Sequence, residues 1–150
     1  MPRRRIRAQH LHTGESVDVV YFENGRYAPR SLAVLDHFLR DHRDGSIHPI
    51  DPVLFDFLHI VNSRLGGRQP VEIVCGYRSE KSNALLRSIS TGVAKNSLHM
   101  IGQAIDIRIP GRSVAEIAQV AESVQRGGVG RYRRSGFVHL DTGNVRTWGS

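Results

Sequence analysis

The period of the apolar positions changes several times along the chain, and each change marks an element. VDVVYFENGRY, residues 17–27, reads as a β-hairpin, because strand-prone residues flank Asn24-Gly25, a pair that favours a type I′ turn. From Pro29 the spacing lengthens. In SLAVLDHFLRDHR, Leu32, Leu35, Phe38 and Leu39 recur at helical intervals, and proline fits the first turn. Asp51-Pro52 offers a second helix start, an N-cap followed by proline. That helix carries Leu54, Phe55, Leu58, Ile60 and Val61 and ends near Gly66-Gly67. VEIVCGY is strand-like and stops at Gly76. Ser79 caps a short helix through Leu86, and the polar SISTGVAKNSL, 88–98, is a loop. QAIDIRI alternates as a strand. Ser113 caps the helix VAEIAQVAESVQ, closed by Gly127-Gly128, and GVGRY and GFVHLDT are two last short strands. The order predicts a single α+β domain over 1–150, with a small, mostly antiparallel sheet and flanking helices.

In QAIDIRI, Ala104, Asp106 and Arg108 share one face, and Ile105, Ile107 and Ile109 share the other. Isoleucines packed under the helices aim Asp106 at the opposite side of the sheet. In GFVHLDT, Phe137, His139 and Asp141 share a face. Were the two strands neighbours, Asp106 and His139 would face the same space. His99 stands in the preceding loop, and Gly102 lets the backbone bend it back over the strand. Two imidazoles and a carboxylate form a common catalytic zinc set, with the fourth position left to water. By spacing alone a second reading stands beside this one: His99 caps a loop, and His139 is a satisfied, half-buried strand histidine.

Composition narrows the class. A chain of 150 residues with 39% hydrophobic content fits one soluble domain. Such a domain buries roughly 70% of the surface its unfolded chain would expose. No apolar run reaches the roughly 20 residues of a spanning helix. The single cysteine, Cys75, excludes an internal disulfide framework and reads as a small buried residue rather than a nucleophile. The net charge of +7 and pI of 10.5 favour an anionic partner. Basic residues are scattered, and no nucleic-acid fold signature accompanies them, so nucleic acid is not the expected partner. Residues 1–10, MPRRRIRAQH, read as a basic, flexible arm that lacks the apolar region of a signal peptide. The protein is then either cytoplasmic or deprived of an upstream targeting segment. Of the remaining histidines, His10, His12, His37, His42, His48 and His59 show no ligand spacing. His37 and His42, five apart, would fall on different helix faces.

The pattern S-x-H-x-x-G-x-A-x-D formed by Ser97, His99, Gly102, Ala104 and Asp106 resembles the first zinc half-site of the LAS metallopeptidases, which include lysostaphin, D-Ala-D-Ala peptidases and the hedgehog domain. GFVHLD, with His139, resembles the second half-site. HTGE at 12–15, CGYRS at 75–79, NSLHMIGQAIDIRIPG at 96–111, GGVGRY at 127–132 and SGFVHLDTGNVRTW at 135–148 are similar, in order, to the murein endopeptidase K group of bacterial cell-wall enzymes.

The resemblance implies a LAS/hedgehog-type fold and zinc held by His99, Asp106 and His139. It implies a peptidoglycan endopeptidase in which zinc-bound water attacks an amide of the stem-peptide cross-link. The cell envelope would be its place of action, with an export signal beyond this chain. The sequence gives no oligomeric state. Arg78, by itself a loop-bracing arginine, becomes under the resemblance a cationic group that holds a substrate carboxylate or carbonyl or stabilises an oxyanion. Ser97 either bonds near the zinc or braces its loop, and Tyr77, Tyr132 and Trp148 line a cleft or pack the core.

The chain departs from wider relatives at the general base. D-Ala-D-Ala peptidases often carry an acid three before the last zinc histidine, where this chain has Gly136. Lysostaphin-like members use a histidine two before it, where this chain has Phe137. Asp141 is the nearest alternative. Either it orients the attacking water and carries its proton to the leaving amine, or it supports the site from behind. The missing base keeps open an alternative function, a non-catalytic zinc-containing peptidoglycan-binding module.

Overall fold

The structure, a computed structural model, describes residues 3–149. Eight strands form one mixed sheet: β1 (Arg4–His10), β2 (Ser16–Glu23), β3 (Arg26–Tyr27), β4 (Val71–Cys75), β5 (Ala104–Arg108), β6 (Gly128–Tyr132), β7 (Phe137–Asp141) and β8 (Arg146–Trp148). Their spatial order is β3-β2-β1-β4-β5-β7-β6-β8. The pairings are antiparallel except β1–β4 and β6–β8, which are parallel. The helices are α1 (Pro29–Phe38), α2 (Pro52–Arg64), α3 (Glu80–Ile89) and α4 (Val114–Val124). A 3₁₀ turn spans Leu98–Ile101. No helix among the described residues is long and apolar enough to cross a membrane.

The core lies between one face of the sheet and α1, α2 and α4. Leu54, Phe55, Phe57 and Leu58 of α2 pack with Ile73, Ile105, Ile107, Val138 and Leu140 from the strands, all of them buried. The alternation in β5 and β7 therefore acts as predicted. Isoleucine, valine and leucine face the helices, and Asp106, His139 and Asp141 are delivered to the other face. Caps also fall where the sequence places them. Asp51 accepts from the Val53 amide at 3.0 Å, Ser79 from Ser82 at 3.1 Å, and Ser113 forms a capping box with Glu116. The hairpin turn has positive φ at Asn24 and Gly25, as a type I′ turn requires.

Four expectations are corrected. The basic start is not a flexible arm from Arg4 onward but strand β1, inserted between β2 and β4 with Ile6, Ala8 and His10 buried. Its first two arginines are held by acids remote in sequence. Arg4 bonds Asp56 at 3.1 Å and covers the Phe22 ring, and Arg5 bonds Asp18 at 2.5 Å. The first helix ends at Phe38 rather than Arg43, because the Asp41 carboxylate takes the amides of Arg43, Asp44 and Ser79 and bends the chain into a loop. Helix α3 runs on to Ile89, three residues past Leu86. A third C-terminal strand, β8, follows β7 and pairs with β6, which brings Trp148 beside Gly130.

Candidate metal centre

Asp106 and His139 are direct partners across the β5–β7 ladder. His139 Nδ1 lies 3.0 Å from Asp106 Oδ1, and His99 Nε2 lies 3.2 Å from Asp106 Oδ2. All three side chains are buried. His99 reaches this place because Ser97 caps the 3₁₀ turn, accepting from the His99 amide at 3.2 Å, and Gly102 ends it at φ 71°. A Cβ at Gly102 would also strike the Pro49 carbonyl, so the bend admits only glycine.

The far nitrogen of each imidazole is fixed. His99 Nδ1 donates to the Gly76 carbonyl at 2.8 Å, and His139 Nε2 donates to Asp141 Oδ2 at 2.7 Å. With the far nitrogens so engaged, each ring turns its other nitrogen to the Asp106 carboxylate. Two imidazole nitrogens and a carboxylate thus converge, an arrangement that a proton on an imidazole or a bound cation would satisfy. Imidazole nitrogens and a carboxylate oxygen, backed by a carbonyl and a second carboxylate, are the donor set and the outer support that zinc uses. Burial alone would lower the pKa of His99, but Asp106 and Cys75 beside it prevail and raise it. Asp106 is disfavoured as an anion by burial, yet His99 and His139 hold its pKa below the usual carboxylate range.

Asp141 is fully buried and engaged at both oxygens. Oδ1 accepts from the amides of Gly128 and Gly143 and from Arg146, while Oδ2 accepts from Arg146 and His139, at 2.7–3.0 Å. Against the cost of burial, His139 and Arg146 hold its pKa low. A carboxylate with its lone pairs committed to five donors is placed to orient His139 rather than to accept a proton.

A cleft of about 510 Å³ opens over these groups. Arg78 lines it and is 9% exposed; one guanidinium nitrogen bonds Asn83 at 3.3 Å, and its buried Nε has no partner among the described residues. Trp148 forms part of the wall, its ring 5.1 Å from that of His139 and its Nε1 donating to Tyr132 at 3.0 Å. Gly130 stands opposite His139 and beside Trp148, and a Cβ there would come within 2.5 Å of the indole. Tyr77 does not line this cleft. It turns away to stack on His48 at 4.9 Å.

Sequence reasoning passed over three cleft residues. His12 and His42 stack face to face at 4.0 Å on the wall, with His10 buried edge-on behind them. His12 sits in the HTGE stretch, a usable signal, whereas His42 comes from a loop remote in sequence. Cys75 also lines the cleft, and its sulfur belongs to a group with His99 and Asp106 whose donor atoms lie within 4.8 Å of one another.

Residues 1–148 match the Peptidase_M15_2 family model, described as peptidoglycan L,D-endopeptidase MepK. The peptidoglycan L,D-endopeptidase MepK of Escherichia coli (strain K12) is 48% identical over 148 residues, covering 98% of this chain and 81% of the relative. The protein of that name from Shigella flexneri has the same identity and coverage. The probable peptidoglycan L,D-endopeptidase MepK of Haemophilus influenzae is 42% identical over 149 residues, covering 98% of this chain and 80% of the relative.

Proposed function

From the premise that this chain belongs to the peptidoglycan L,D-endopeptidase MepK family of peptidases, we propose that it is a zinc-dependent murein endopeptidase that hydrolyses amide bonds in the peptide cross-links of the cell wall. The observation that carries the reading is the convergence of one nitrogen each from His99 and His139 on Asp106, each ring held from behind. His99, Asp106 and His139 would hold the zinc, which when bound would supply Lewis acidity toward an amide carbonyl and lower the pKa of water toward neutral. The Gly76 carbonyl and Asp141 keep the two rings in orientation. Arg78 lines the cleft with a buried Nε–H that finds no partner among the described residues, and its guanidinium would there hold a substrate carboxylate or carbonyl, or the oxyanion that develops during attack. Ser97 braces the His99 turn, and Trp148 with Tyr132 shapes the wall beside His139. With Asp106 and Asp141 both committed, His12 remains as a group on the wall able to accept a proton, while burial makes its stacked neighbour His42 a weak base. A surface of net charge +7 suits an anionic wall polymer, and that substrate puts the site of action in the cell envelope.

One observation favours a second reading, a zinc-containing module that binds peptidoglycan without cutting it: neither carboxylate in the cleft is free to act as a base. Purified sacculi separate the two. Release of new amines by the wild-type protein, lost in His139→Ala, is expected of the endopeptidase. A folded, zinc-loaded protein that binds sacculi and releases none would establish the binding module.

A further inference from the structure

Strands β4 and β5 meet with a break in register. Ile73 stands opposite Ile107, but the next partner of Asp106 is Cys75, not Val74. A regular ladder would put Val74 across from Asp106 and Cys75 across from Ile105. The extra residue is a β-bulge, a device that re-aims a side chain. Its product here is specific. Cys75 is 7% exposed yet stands outside the apolar core cluster, and it lines the cleft. Its sulfur, His99 and Asp106 have donor atoms within 4.8 Å of one another. Its contact to the Gly76 carbonyl is a long one at 3.6 Å, and that carbonyl already receives His99 Nδ1 at 2.8 Å. A cysteine used only for packing has apolar neighbours; this one faces an imidazole nitrogen and a carboxylate. Thiolate sulfur is moreover a favoured donor for zinc.

We propose that Cys75 is a fourth protein donor to the metal, its thiolate taking the coordination position that His99, Asp106 and His139 leave open. The resting site is then closed, and the sulfur gives the position up to water when substrate enters. The proposal rests on the metal reading above. On ligation the S–H bond breaks, its electron pair becomes the sulfur–metal bond, and the proton passes to solvent. Displacement reverses these changes, with no oxidant or reductant involved. A bulge that spends a ladder position to bring a thiol to Asp106 has, in this reading, the purpose of keeping the metal held and quiescent between substrates.

Zinc-edge X-ray absorption on the wild-type chain loaded with zinc reads the donor set directly. The expected spectrum has one sulfur scatterer at about 2.3 Å beside nitrogen and oxygen at about 2.0–2.2 Å. The sulfur shell should vanish in Cys75→Ser while zinc stays bound. A wild-type spectrum with nitrogen and oxygen only overturns the role of Cys75 and leaves the three-residue centre standing. A sulfur shell that persists in folded Cys75→Ser assigns it to another side chain and also overturns the role. If Cys75→Ser does not fold, the wild-type spectrum decides. A wild-type chain that retains no zinc overturns the metal reading beneath both.

Discussion

Asp106 uses both of its carboxylate oxygens on histidines, Oδ2 toward His99 Nε2 at 3.2 Å and Oδ1 toward His139 Nδ1 at 3.0 Å. One residue of a central strand thus joins a histidine brought by a 3₁₀ turn to a histidine brought by the neighbouring strand. Replacing Asp106 by Ala should leave the fold in place and remove the metal. Mass-spectrometric analysis of purified protein should find about one zinc per wild-type chain and a small fraction of that in the variant. Wild-type protein without metal would remove the basis of the centre.

In the proposed enzyme, Asp141 would act on the reaction through His139, which it holds at 2.7 Å. In Asp141→Asn the negative charge that holds His139 Nε2, Arg146 and the Gly128 and Gly143 amides is gone. Metal affinity or turnover should fall about 10- to 100-fold, the usual cost of losing such a support, and the shape of the pH–rate profile should be unchanged. Complete loss of turnover with zinc content intact would assign Asp141 the proton transfer instead.

Gly130 makes room for Trp148 over His139. A methyl group in Gly130→Ala would meet the indole at 2.5 Å, so the ring must move. The expected cost is about 1–3 kcal/mol of stability, as for other overpacked sites. Because Trp148 is the one tryptophan in the chain, its fluorescence reports the displacement alone. An unchanged emission spectrum would show that the wall tolerates the methyl.

Histidines of the cleft wall give the fold a pH dependence. Burial first, and His12 second, push His10 and His42 down from 6.5 to about 4. Between about pH 6.5 and 4 the unfolded chain therefore binds more protons at these positions than the folded one, and stability falls as pH falls through that window. Asp106 and Asp141, lowered from 3.8, contribute below it. Urea titrations at a series of pH values should show a shallower decline in His42→Gln than in wild type. Parallel curves would mean that His42 titrates alike in both states.

Local rules carried much of the fold. Alternation in AIDIR and FVHLD decided which residues meet the helices, since neighbouring strand side chains point to opposite faces. Caps at Asp51, Ser79 and Ser113 set helix starts through bonds of two or three residues' reach. The arginines of β1 misled because charge is local, whereas the acids that neutralise it, Asp18 and Asp56, arrive from elsewhere in the chain.

The candidate site divides along the same line. Residue type and face made His99, Asp106 and His139 candidate donors and Gly102 the bend in the sequence alone, and the family resemblance is what set that reading above a loop cap and a satisfied strand histidine. Only the tertiary structure decided that five donors occupy Asp141, that Tyr77 turns to His48, and that His12 and His42 stack on the cleft wall. It alone decided, too, that Cys75 rather than Val74 faces Asp106. Those are facts of register and of contact between distant segments. A single added residue in one strand reverses the face that alternation predicts, and no local pattern in VEIVC announces it.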